Sequence, residues 1–256
     1  MKGPLVSILI PTFNRAAYVL RAIRSAQAQT YQNIEIIVYD DGSIDDTSKM
    51  LRQHRGITVH RRKTNRGVGN ARNRLIAMAR GEYSCWLDSD DLANRWRVQL
   101  LLRTIQKYDV PFVRSAITIF SGGKMPDVWE EKPYYAPRRQ FSCATIMFRT
   151  NLARQVPYRT DLLLGEDALW EKDFILKHDT GVMVPLTLYH VGRGKGLKRL
   201  SQANRHGQAE EFSRSLRARD KAILKTIAAI RATGKDHRRF LQRVPQELCE
   251  KWVGEL

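Results

Sequence analysis

The sequence predicts an α/β protein built on a doubly wound, mostly parallel sheet. From residue 5 to residue 91, four short β-rich runs alternate with three helical ones. The loops after three of those runs, Pro11 to Arg15, Asp40 to Ser43 and Asp88 to Asp91, are polar or acidic. Sheets of this kind bind ligands at the carboxyl ends of their strands, so these loops are expected to converge on one crevice. At 256 residues the chain can bury the core of one large domain or of two small ones.

Leu5 to Ile10 (LVSILI) is a buried first strand that Pro11 ends, with PTFNR as the loop at its carboxyl end. In Tyr18 to Gln29 the apolar residues Val19, Ile23 and Ala26 recur at helical spacing. Ile34 to Tyr39 (IEIIVY) is the second strand; it runs into Asp40-Asp41-Gly42-Ser43, a turn before a helix with Asp45 and Asp46 at its start. Ile57 to His60 is a short third strand, Asn65 to Asn70 (NRGVGN) a glycine loop, and Ala71 to Arg80 a helix. The strand that follows delivers Cys85-Trp86-Leu87 into Asp88, Asp90 and Asp91.

Beyond a helix at Arg95 to Lys107 the pattern changes. Phe112 to Phe120 and Phe141 to Phe148 read as strands, separated by a Gly/Pro/aromatic loop, Ser121 to Arg139, of the length usually kept for binding. Glu166-Asp167 opens a helix to about Lys177, and Val182 to Tyr189 is a last strand ending at His190. Gly192 to Arg199 (GRGKGLKR) has the composition of a mobile, phosphate-seeking loop. From Ala209 the chain becomes helical and basic, with Phe212, Leu216, Ile223, Ile227 and Ile230 in one stripe.

A net charge of +18 asks for a negative partner: nucleic acid, an anionic membrane or a phosphorylated substrate. Nucleic acid is disfavoured, because the cations are dispersed and the expected crevice is acidic. The apolar runs are too short to cross a bilayer and the N-terminus has no signal-peptide core, so a cytoplasmic protein is expected. Cys85, Cys143 and Cys249 are odd in number and far apart, which reads as free thiols.

Three carboxylates gathered after an apolar strand are costly unless a cation shares them. An Asp-x-Asp offers hard oxygens but too few to fill a shell, which suits Mg2+ or Mn2+ completing its coordination with diphosphate oxygens. A helix N-cap cluster at Asp90 and Asp91 fits the same residues, and the spacing leaves both readings open.

SILIPTFNR, NIEIIVYDDGSIDDT, NRGVGNARNRLIAMARGEY and WLDSDD, in this order and spacing, resemble the nucleotide-binding half of family-2 glycosyltransferases with the Rossmann-like GT-A fold. The resemblance implies a nucleotide-sugar donor, most often a UDP-sugar, held by Mn2+ or Mg2+, with inversion at the anomeric carbon. It places Pro11, Thr12 and Asn14 along the nucleoside and has Asp41 accept from the imide N–H of the base. A plain turn and cap is the other reading of Asp40-Asp41. Arg72 would face the diphosphate region, unless it is a surface-helix arginine. Asp88 would contact ribose or metal-bound water, and Asp90 would bind the metal.

Glu166-Asp167 matches the family's acidic pair beneath the acceptor. Inverting transfer needs a base for the proton of the acceptor hydroxyl, and Asp167 is assigned that role, with Glu166 positioning the acceptor or assisting; an acidic first turn favoured by the helix dipole is the plainer reading. In some members of the family a histidine near the place of His190 completes the metal shell, so the resemblance implies that role for His190; a structural histidine at a strand end is the other reading. Arg193, Lys195, Lys198 and Arg199 would neutralise the leaving diphosphate, or form a solvated basic loop.

Processive members carry Gln-x-x-Arg-Trp and membrane helices after the base, and this chain shows neither pattern, which favours single addition. The expected division is a GT-A domain over 1–200, with a nucleotide-binding half at about 1–107 and an acceptor half at about 108–200, then a basic helical extension over 201–256. The expected acceptor is a glycan or a lipid-linked saccharide. The extension either packs on the domain or docks on an anionic membrane surface, as a peripheral protein on the inner face of the cell membrane. A relative that binds the donor without turning it over is disfavoured by the intact Asp88, Asp90 and Asp167.

Overall fold

The strand β1 (Val6–Thr12) is buried along its whole length, as its run of branched residues requires of a central strand covered on both faces. The computed structural model describes residues 3–121, 131–136, 143–162, 165–179, 181–193 and 241–256. After β1 come α1 (Val19–Gln27), β2 (Ile34–Asp40), α2 (Thr47–Gln53), β3 (Thr58–Arg61), α3 (Val68–Met78) and β4 (Tyr83–Trp86). β3, β2, β1 and β4 are neighbours in that order and all parallel. This is the alternation expected from the sequence, with α3 starting three residues earlier than expected.

β5 (Leu92–Ala93) is a two-residue strand ahead of α4 (Arg97–Tyr108). It is followed by β6 (Phe112–Ser121), β7 (Ile146–Arg149), the single turn α5 (Thr150–Ala153), α6 (Glu166–His178) and β8 (Gly181–Arg193). β7 lies antiparallel between β4 and β6 and so joins the two halves, giving the order β3-β2-β1-β4-β7-β6-β8-β5.

Three expectations need correction. The strand expected over Phe141 to Phe148 is shorter, because Cys143–Thr145 forms a 3-10 turn whose Ala144 carbonyl accepts from the buried Arg97 Nη2 at 3.1 Å. The last strand is longer than Val182 to Tyr189, and His190 lies within it, paired with Leu92 on one side and Thr118 on the other. Its pairing with β6 shifts register around Pro185, where a residue without an N–H cannot serve the ladder and a bulge takes it up.

The third concerns the C-terminus. Residues 241–256 do not belong to a purely helical extension. Leu241–Arg243 forms β9, parallel to β8, and α7 (Gln246–Gly254) sets Cys249 and Trp252 into the main core. Apolar burial explains this: Trp252 is 1% exposed with the Arg103 guanidinium 5.0 Å from its ring centroid. The expected basic stripe from Phe212 to Ile230 lies outside the described residues, as do Lys195, Lys198 and Arg199. Among the described residues no helix is long and apolar enough to cross a membrane, and the three cysteines are free.

Candidate active site

Because β1 lies between β2 and β4, the loops after these three strands meet at one edge of the sheet. The loops brace each other. Asn14, held at φ 52°, accepts from the Ile44 N–H through Oδ1 at 2.9 Å, while its own N–H donates to Ser43 Oγ at 2.9 Å. Gly42 has φ +85°, and a Cβ there would meet the Thr64 carbonyl carbon at 2.7 Å, so the turn after β2 admits only glycine. Pro11 and Thr12 end β1 opposite Tyr39 and Asp40.

The two aspartates of that turn divide the two readings of the sequence between them. Asp40 is fully buried and spent on the turn: Oδ1 accepts from the Ser43 N–H at 2.9 Å and Oδ2 from Arg61 Nε at 3.1 Å. Asp41 is 2% exposed. Its Oδ2 accepts from the Arg66 N–H at 3.1 Å, but Oδ1 has no hydrogen-bond partner, with Arg62 Nε 3.7 Å away. Thr12 Oγ1 beside it is likewise buried without a partner. Burial raises the Asp41 carboxyl above its ordinary value.

At the end of β4 the Asp88 N–H donates to the Tyr189 hydroxyl at 3.0 Å. The Asp88 carboxylate pairs with Arg72 Nη2 at 3.3 Å and Asp90 with Arg15 Nε at 3.4 Å. Loss of solvent raises the Asp88 carboxyl; repulsion from Asp90 and Asp167 works in the same sense and Arg72 against it. The N-cap reading fails for Asp91. It precedes β5, not a helix, and its carboxylate accepts from the Gly192 N–H at 3.0 Å and from the Tyr189 hydroxyl. It is a tie between the acid loop and β8.

Arg72 is no surface arginine. It is 4% exposed, and its second nitrogen, Nη1, reaches Glu166 Oε1 at 3.2 Å. Gly165 turns the chain into α6 at φ +78°, which delivers Glu166 and Asp167 together. They part at once: Glu166 is buried on Arg72, while Asp167 is only partly covered and its Oδ1 accepts from the Ala168 N–H at 2.7 Å. Burial, with repulsion from Asp167, pushes the Glu166 carboxyl up to about 7 against the pull of Arg72. One turn further along α6, Glu171 pairs with Arg114 of β6 and accepts from Cys143 Sγ at 3.6 Å.

Asp88, Glu166 and Asp167 thus share one electrostatic neighbourhood through Arg72, which Asp90 joins through Asp88. His190 is not joined to it. It is 5% exposed, neither ring nitrogen has a partner, and burial lowers its pKa to about 4. Strand alternation turns its ring to the face opposite Tyr189, the residue that meets the acids. Among the described residues no group of three or more His, Cys, Asp or Glu stands ready to hold a metal ion. Arg193 ends β8, and Lys195 lies outside the described residues.

Sequence reasoning missed Arg15 and Tyr189. Arg15 carries a signal in hindsight, being the one cation in the PTFNR loop and so the natural counter-charge for an acid at the neighbouring strand end. Tyr189 carries none.

The sequence model of Glycosyl transferase family 2 matches residues 7–160. An uncharacterised glycosyltransferase of Rickettsia typhi is 36% identical over 141 residues, covering 55% of this chain and 43% of the relative. The chondroitin synthase of Escherichia coli is 39% identical over 107 residues, covering 41% of this chain and 16% of that protein. The chain therefore spans less than half the length of these curated relatives. S. aureus TarS 1–349 in complex with UDP-GlcNAc superposes with a TM-score of 0.69 at 22% identity, covering 86% of this chain and 66% of that one. The mannosyltransferase PcManGT from Pyrobaculum calidifontis, in complex with GDP-Man and Mn2+, gives 0.53 at 18% identity, covering 90% and 75%. At these identities the two structures speak for the fold, a GT-A sheet, mixed and mostly parallel with flanking helices. With its family model matched across more than half of the sequence, the chain belongs to glycosyl transferase family 2.

Proposed function

We propose that the chain moves one sugar from a nucleotide-sugar, a UDP-sugar, to a hydroxyl of a glycan or lipid-linked acceptor, with inversion and with Mn2+ or Mg2+ bound. The observation that carries this reading is the buried Asp41 Oδ1, which makes no hydrogen bond and meets only the Arg62 guanidinium, its Nε 3.7 Å away. A buried carboxylate oxygen without a donor is rare and costly. The imide N–H of a uracil base is the donor it lacks. The complexes of TarS with UDP-GlcNAc and of PcManGT with GDP-Man and Mn2+ support a donor of this class on this fold.

Asp88 and Asp90 fit a divalent cation by their chemistry, two hard carboxylates two residues apart, each balanced here by an arginine. Held by Asp88 and Asp90, the ion would supply positive charge against the charge that develops on the leaving diphosphate. Arg15 and Arg72 hold these two acids in place. Asp167, the more exposed of the acidic pair, takes the proton of the acceptor hydroxyl as that oxygen attacks the anomeric carbon from the face opposite the diphosphate. Glu166, fixed by Arg72, orients the acceptor. Arg193 and Lys195 neutralise the departing diphosphate. The net charge of +18 suits an anionic membrane surface on which a lipid-linked acceptor would be met. The test is a screen of nucleotide-sugars with Mn2+ for slow release of the nucleotide, which requires no acceptor. UDP-sugar turnover is expected, and no turnover of any nucleotide-sugar would refute the proposal.

A further inference from the structure

Several elements of the site meet on one residue that the reaction scheme leaves without a role. Tyr158 is 3% exposed and lies in the segment between α5 and α6. Asn73 of α3 clamps its backbone from both sides. The Tyr158 N–H donates to Asn73 Oδ1 at 2.7 Å, and Asn73 Nδ2 donates to the Tyr158 carbonyl at 2.9 Å. The Tyr158 ring stacks on Trp170 of α6, with centroids 4.9 Å apart and planes within 2°. It meets Trp86, the last residue of β4, edge-on at 5.7 Å. The Arg72 guanidinium stands 5.4 Å from the centroids of both the Tyr158 and Trp86 rings.

Lying against both aromatic rings, the planar guanidinium has its fork directed at Asp88 on one side and Glu166 on the other, at 3.3 and 3.2 Å. We propose that Tyr158, clamped by Asn73 and stacked on Trp170, is a positioning residue that fixes Arg72 so that one cation sets both the donor-side and the acceptor-side carboxylates. The inference rests on the roles proposed above for Asp88 and for Glu166-Asp167. Tyr158 touches no reacting atom; it acts through Arg72 and through the seat of α6. When the ring is lost, Arg72 slackens, Asp88 and Glu166 lose their common reference, and misplacement of about 1 Å between donor and acceptor groups costs on the order of 100-fold in rate.

A double-mutant cycle on nucleotide-sugar turnover with Mn2+ tests this, with UDP binding followed by calorimetry for every variant. Tyr158→Phe keeps the ring and is expected to turn over like the wild type. Tyr158→Leu is expected to lower kcat on the order of 100-fold, with a smaller rise in KM for the donor. In an Arg72→Lys background the same Leu substitution is expected to cost no more than about twofold, because the residue it acts through is already displaced. Losses that add fully in the double variant overturn the proposal, as does a Phe variant as damaged as the Leu variant. If Tyr158→Leu does not fold, Asn73→Ala takes its place, removing the clamp and keeping the ring, with the same non-additivity expected against Arg72→Lys. A wild type that neither binds UDP nor turns over any nucleotide-sugar overturns the proposed function, and this inference with it. Turnover by the wild type with additive losses overturns the positioning role alone.

Discussion

Asp41→Asn changes one oxygen into an NH2 group at the position where the base would be read. Asp41 Oδ2 is already committed to the Arg66 N–H at 3.1 Å, and Oδ1 lies 3.7 Å from Arg62 Nε. The asparagine must keep its carbonyl on Arg66, which leaves the NH2 facing the ligand where Oδ1 stood. A uracil imide N–H then meets a donor in place of an acceptor. The cost is one charge-assisted hydrogen bond, about 1.5–3 kcal/mol, which is roughly a 10- to 150-fold weaker Kd for UDP. CDP presents a ring nitrogen acceptor at the same place, so the variant should narrow the preference for UDP over CDP from both sides. Calorimetric titration of wild type and Asp41→Asn with UDP and CDP in Mn2+, with matched melting curves, measures this directly. Unchanged UDP affinity in a folded Asp41→Asn protein would refute the base-reading role.

Asp90→Asn removes one of two paired carboxylates from the proposed cation corner, and its UDP binding should lose most of its dependence on Mn2+, as read by titrations with and without the ion. Glu166 is lifted by burial and by Asp167 from an ordinary value of 4.5 to about 7, so the folded state holds its proton more tightly than the unfolded chain. Its contribution is complete below about pH 4.5 and is lost as pH rises through about 7; between roughly pH 5 and 8 the melting temperature should fall more steeply in wild type than in Glu166→Gln. Trp252→Ala removes a side chain that is 1% exposed and should destabilise the protein by about 3–5 kcal/mol in urea unfolding, whereas a separate C-terminal extension would leave the main transition unmoved.

The first four strands were legible because their signal is local: branched apolar runs closed by Pro11, by Asp40-Asp41-Gly42 and by Asp88. The antiparallel insertion of β7 between β4 and β6 was not. Nothing in Ile146–Arg149 states which strands it will join, since pairing partners are set by tertiary packing and not by the four residues themselves. The register shift at Pro185 was foreseeable from the missing N–H, but its extension of β8 through His190 depends on Asp91 and Leu92, a hundred residues earlier. The carboxylates were identified by type and spacing, while their division of labour was not. Asp40 serves the turn and Asp41 keeps one buried oxygen without a hydrogen bond, beside Arg62; Asp91 ties down β8; Glu166 is buried on Arg72 and Asp167 is not. Each of these outcomes follows from which cation or N–H the fold brings within 3–4 Å, and a linear sequence carries no such distances. Tyr158 shows the limit most clearly. Its importance lies in contacts with Asn73, Trp86 and Trp170, and in sequence it is one tyrosine in an unpatterned segment.

In the proposed mechanism a cation-dependent donor corner and an acceptor base meet across Arg72. The most direct measurement compares wild type and Asp167→Asn for UDP binding in Mn2+ and for transfer from the UDP-sugar found by the screen. The variant is expected to bind UDP like the wild type and to lose transfer by a factor on the order of 100 to 10,000. Transfer at the wild-type rate by Asp167→Asn would contradict the mechanism.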